Sequence, residues 1–117
     1  MKVLIILNDP PYGTERSYNG SRLAHAVKKS SPDTEVTVFL MADAVLCAKA
    51  GQKTPEGFYN MERMLRRVAS GGGHILLCGT CMDARGLAEG DLMEGASRST
   101  MDALSAATLE ADKVLVF

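Results

Sequence analysis

Cys78 and Cys81 are the two residues of this chain whose type and spacing can do chemistry. The apolar run Ile75, Leu76, Leu77 ends at Cys78, and Gly79 and Thr80 make a tight polar turn before Cys81. Met82, Asp83, Ala84, Arg85 and Gly86 follow. The spacing is Cys-x-x-Cys, placed where a buried strand gives way to a loop or helix. In open α/β sheets that is where ligands bind, because strand carboxyl ends and helix N-termini meet there. A thiol in such a place has a lowered pKa and becomes a better nucleophile.

Four apolar runs and three long helical patterns must position that turn. Val3 to Leu7 is a continuous apolar run bounded by turn residues and reads as a central parallel strand buried on both faces. The two prolines of the stretch from Asn8 to Gly13 make it a loop. A helix is predicted from about Glu15 to Ser30, capped by Thr14 or Ser17, with Leu23, Ala24, Ala26 and Val27 inward. Glu35 to Met41 is the second strand. Ala42 to Ala50 is a candidate short helix with Asp43 at its start, and Gly51 to Gly57 a polar, mobile loop. Phe58 to Ser70 is a second long helix, with Phe58, Met61, Met64, Leu65 and Val68 inward. Glu62, Arg63, Arg66 and Arg67 fall on its outer side. Gly71 to Gly73 stops it. His74 to Leu77 is the third strand, and Met82 to Leu87 makes one or two helical turns. Ala88 to Ala96 is a loop, with a short strand near Leu92 and Met93. Ser99 to Leu109 is the last helix, capped by Ser97 or Ser99, and Lys113 to Phe117 the last strand, again a buried run.

The alternation predicts an α/β fold: a three-layer flavodoxin-like sandwich, with a mostly parallel sheet of about five strands and helices on both faces. Crossovers should be right-handed. At 117 residues the chain reads as one domain, 1–117, long enough to bury a core without staples. The net charge of −1 offers no basic footprint for nucleic acid. No apolar run approaches the roughly 20 residues that span a bilayer, and the first seven residues read as a strand rather than a signal peptide. Three cysteines cannot all pair within one chain, which points to a reducing cytoplasm.

The run from Cys78 to Gly86, together with the opening strand and the loop Asn8-Asp9-Pro10-Pro11-Tyr12-Gly13, resembles the DsrE/DsrF-like family, the group that includes the YchN-like proteins. The resemblance covers most of the chain. It implies a compact α/β domain that assembles into homo-oligomers, trimers or hexamers, and, by analogy with relatives in sulfur-relay complexes, a cysteine that carries sulfur as a persulfide. Cys78 matches the sulfur-carrying cysteine, and Cys81 the second cysteine present in part of the family. Such a sulfurtransferase or carrier needs an accessible thiolate that exchanges with protein donors and acceptors. The amides of Gly79, Thr80 and Cys81 would form an anion nest around it. Arg85 would add positive charge, and Cys81 would resolve Cys78 as an internal disulfide. Asn8 and Asp9 end the first strand on the same sheet edge and would shape the pocket, with Tyr12 covering it.

The bland readings stand beside these. Free cysteines often fill space, and Cys47 is read as buried packing. Arg85 serves a loop anchor as well as a thiol, and turn chemistry explains Asn8 and Asp9. The alternative function is a non-enzymatic oligomeric module that binds a small ligand or protein, with structural cysteines. No cofactor is called for. A zinc site usually needs four ligands and finds only two here. Gly86 interrupts the helix too early for a thioredoxin-like motif. The triple glycine precedes a strand instead of following one, which excludes a phosphate loop, and flavin binding would rest on fold analogy alone.

Overall fold

The computed structural model describes every residue, 1–117. Five strands, β1 (Lys2–Leu7), β2 (Glu35–Leu40), β3 (His74–Cys78), β4 (Ala96–Ser99) and β5 (Lys113–Val116), form one sheet in the order β4-β3-β2-β1-β5. All its pairings are parallel. The helices are α1 (Arg16–Ser30), α2 (Met61–Ser70), α3 (Gly79–Ala84) and α4 (Met101–Glu110). A 3₁₀ segment, Ala42–Ala48, leaves the end of β2.

The chain steps from β1 to β4 in one direction, then returns across the sheet to β5. Right-handed crossovers therefore put α1, α2 and α3 on one face and α4 alone on the other. The packing agrees: Gly20 of α1 lies against Leu7, whereas Ala107 of α4 lies beside Leu4 and Thr37. Register places Val3 beside Val36, Ile5 beside Val38 beside Ile75, and Leu7 beside Leu40 beside Leu77, all buried under α1 and α2. The opposite set, Leu4, Ile6, Phe39 and Leu76, packs towards α4, with Phe39 fully buried. The three inner strands are apolar on both faces because both faces are covered. Their shared register brings the carboxyl ends of β1, β2 and β3 to one edge.

Several sequence-based expectations change. The last strand is not buried. β5 pairs with β1 alone, at the sheet edge, and all four of its residues are exposed, Val116 by 65%. The strand near Leu92 and Met93 reduces to an isolated bridge between Lys49 and Leu92. The fourth strand is Ala96–Ser99, a polar edge strand without an apolar pattern to announce it. It uses the serines expected to cap the last helix, and Thr100 caps α4 instead, accepting from the Ala103 amide at 3.1 Å. Finally, α2 begins at Met61, where the Asn60 side chain accepts from the Arg63 amide, and Phe58 stays outside it, 67% exposed.

Glu62 also turns inward rather than outward. It is buried, and one carboxylate oxygen accepts the amides of Gly51 and Gln52 at 3.0 Å each. Tyr12 receives the Met61 amide and donates to Gln52. The polar stretch 49–60 is thus tied to the start of α2 by its backbone amides. Neither Thr14 nor Ser17 caps α1, since both hydroxyls bond to Asp9.

Phe39→Ala removes the central side chain beneath α4. It should lower the unfolding free energy by about 3–5 kcal/mol, read from urea midpoints at an unchanged slope. A loss below about 1 kcal/mol would show that the α4 face is not a packed core.

Candidate functional site

The sheet delivers Cys78 to the carboxyl edge as both the last residue of β3 and the N-cap of α3. Its sulfur accepts the Cys81 amide at 3.2 Å and lies 3.3 Å from the Thr80 hydroxyl. The sulfurs of Cys78 and Cys81 are paired as a disulfide. Cys81 receives a further donor from outside the motif, the Ala42 amide, 3.3 Å from its sulfur. Ala42 holds a positive φ of 51° at the start of the 3₁₀ segment. That left-handed conformation is costly for a residue with a Cβ, and here it turns the amide towards the sulfur. Each sulfur thus has a backbone N–H, a donor set that favours a thiolate or perthiolate over a neutral thiol. Cys78 is 7% exposed, while Thr80 is exposed and Cys81 half-buried, so these two mark the open side of the turn.

Two ion pairs clamp α3 from opposite sides. Arg85 donates to Asp43 at 2.8 Å and to the Cys81 carbonyl at 3.1 Å, tying the end of the helix to the 3₁₀ segment. Its charge is therefore engaged by Asp43, and the anchoring role applies. On the other side Arg98 of β4 donates to both carboxylate oxygens of Asp83, at 2.7 and 2.9 Å. That hydrogen-bonded guanidinium holds the Asp83 carboxyl below the usual aspartate value. The same guanidinium occupies the space beside Gly79. A Cβ there would lie 2.8 to 3.0 Å from its Nε, Cζ and Nη2 atoms. Gly79 is required by this close approach more than by its dihedral angles.

The candidate residues fall into two groups on one sheet edge. Cys78, Gly79, Thr80, Cys81 and Arg85 form the sulfur turn. Asn8 and Asp9 form a neighbouring brace, whereas Tyr12 is tied to Gln52 and the Met61 amide rather than to the sulfurs. The Asn8 amide and side chain both donate to the Phe117 carbonyl, each at 3.1 Å. Asp9 accepts from Thr14 through its carboxylate, and from Ser17 and Cys47 through its carbonyl. The 3₁₀ segment joins the groups, with Ala42 on Cys81 at one end and Cys47 on Asp9 at the other. Cys47 is fully buried, and burial pushes its thiol up to about 12, so it stays protonated and inert near neutral pH. His74 starts its strand on the far edge, away from the sulfurs. Nowhere do three His, Cys, Asp or Glu side chains converge to hold a metal ion. Ala42, Asp43 and Arg98 escape sequence reasoning because contacts distant in sequence bring them to the turn. Of these only Arg98 carries a local signal, as a lone cation between two serines.

The whole chain, residues 1–117, matches the model of the DsrE/DsrF-like family. It is 40% identical over 116 residues to protein YchN of Escherichia coli, covering 99% of this chain and 98% of that protein. It is 38% identical over 117 residues, all of both chains, to an uncharacterised protein of Methanocaldococcus jannaschii. Among solved structures, the crystal structure of the E. coli ychN protein superposes with a TM-score of 0.95 at 38% identity, covering 100% of this chain and 99% of that one. A protein of unknown function from Methanobacterium thermoautotrophicum, at 14% identity and a TM-score of 0.74, shares the fold; the alignment covers 99% of this chain and 98% of that one.

Gly79→Ala drives a methyl group into the Arg98 guanidinium, the far end of a flexible side chain that can swing away. The fold should survive and the Asp83 contact should not. The Asp83 carboxyl, held low by that contact, should then titrate closer to the ordinary aspartate value in an NMR titration. An unchanged Asp83 titration would show that Arg98 does not need the space.

Proposed function

Because the chain belongs to the DsrE/DsrF-like family and ends a buried strand in two paired cysteines, we propose that it is a sulfur-handling protein that carries sulfur as a persulfide on Cys78. The observation that supports this reading is the Cys78–Cys81 pair with a backbone amide on each sulfur. In the dithiol form, the Cys78 thiolate attacks the outer sulfur of a donor persulfide. The donor S–S bond breaks, the donor leaves as a thiolate, and the outer sulfur stays on Cys78. An acceptor thiolate then takes that sulfur as its own persulfide and releases Cys78. When Cys81 attacks the inner sulfur instead, hydrosulfide leaves and the Cys78–Cys81 disulfide forms. A dithiol reductant supplies the two electrons that restore both thiols.

The burial of Cys78 favours a second reading, a binding module with structural cysteines. One experiment separates the two. After incubation with a persulfide donor, Cys81→Ser should gain the mass of one sulfur atom on Cys78, removable by a dithiol, and Cys78→Ser should gain none. Loading of Cys78→Ser at the wild-type level overturns the carrier, and absence of loading in every form supports the module.

The protein is also proposed to be a homo-oligomer, a trimer or hexamer, working in the cytoplasm with protein donors and acceptors. No helix is long and apolar enough to cross a membrane. β5 reads as a buried strand, yet Val114, Leu115 and Val116 are exposed, and Met101 and Leu109 of α4 are exposed as well. On the α1 side, a cavity of about 630 Å³ lined by Val3, Leu23, Ala26, Val27 and Lys113 flanks that edge. Exposed apolar surface along an edge strand marks an interface. Sedimentation velocity at micromolar concentration should show an assembly of three or more chains, and a monomer would contradict it.

A further inference from the structure

The apolar residues of α2, Met61, Met64, Leu65 and Val68, all face the core. Helical spacing therefore sends Arg63, Arg66 and Arg67 outward together. α1 packs beside α2 and contributes His25 to the same side. With Ser70 and Gly71 these residues line an open groove of about 640 Å³ that contains no apolar side chain. The thiol chemistry uses none of them.

Charge in this groove is only partly compensated. Arg66 pairs with Glu62 at 2.7 Å. The other oxygen of Glu62 is taken by the Gly51 and Gln52 amides. Arg63 and Arg67 belong to none of the six ion pairs in the molecule. The chain as a whole carries a net charge of −1, so this is a local excess rather than a general basic character.

We propose that the groove between α1 and α2 binds a compact polyanion bearing phosphate groups. Guanidinium forks engage phosphate oxygens two at a time, and Arg63, Arg66 and Arg67 all line this groove. With no Leu, Ile, Val, Met, Phe, Tyr or Trp in its lining, the groove lacks the large apolar or aromatic anchor that seats a protein partner. His25 is its one ring, with no Phe, Tyr or Trp beside it to make a stacking platform for nucleic-acid bases. What it offers is charge and hydrogen bonds for a small ligand rich in both. The proposal does not depend on the sulfur reading.

Inorganic pyrophosphate is the probe, titrated calorimetrically into the full-length protein at constant ionic strength. Saturable binding is expected, with single phosphate binding more weakly. Arg63→Glu and Arg67→Glu should each weaken binding by about tenfold or more, the scale of a lost charge-assisted contact. Arg22→Glu, on α1 outside the groove, should bind as the parent does. Thermal melting of each variant establishes that it is folded, and two independent variants guard against one that is not. No saturable heat with pyrophosphate overturns the proposal, as does equal binding by folded groove variants. Binding of a short oligouridylate without saturation by pyrophosphate would assign the charge to nucleic acid and equally overturn it.

Discussion

The shared register of β1, β2 and β3 is the constraint on which the rest of the structure depends. Each of these strands is apolar on both sides, so a slip by one residue would exchange two buried sets rather than expose one. Register is set instead by the fit of α1, α2 and α4 onto alternate rows, with Gly20 against Leu7 and Phe39 buried beneath α4. Once it is set, Leu7, Leu40 and Leu77 align, and the chain must leave all three strands at one edge. The 3₁₀ segment after β2 and the cysteine turn after β3 meet there because no other exit is open to them.

The sulfur turn borrows its rigidity from that edge. α3 is six residues long and too short to be stable alone. It is held by Arg85 to Asp43 on one side and by Asp83 to Arg98 on the other. Exposed ion pairs contribute little to overall stability. These two act locally, fixing where a short helix sits relative to its neighbours. The left-handed backbone of Ala42 belongs to the same arrangement. Its strain persists because the core end of the 3₁₀ segment, Ala44, Val45, Cys47 and Ala48, is fully buried and leaves the start of the segment little freedom.

Membership of the DsrE/DsrF-like family accounts for the fold. Arg98 of β4 fills the side-chain space of Gly79, so a side chain at that position costs the Arg98–Asp83 contact rather than the fold.

The amino-acid sequence by itself determined the fold class, the inner strands, the long helices and the cysteine turn. Those features are written in runs and periods of apolar residues, whose burial is nearly independent of what lies across the sheet. Only the tertiary structure decided the rest. Ala96–Ser99 is a strand because β3 presents it with backbone partners, although its side chains show no strand pattern. β5 is exposed because the return crossing leaves it at the edge, although its residues read as core. Glu62 is buried because the amides of Gly51 and Gln52 satisfy it. Ala42, Asp43 and Arg98 reach the sulfur turn through contacts 15 to 42 residues apart in the chain, which a local pattern of residues does not encode.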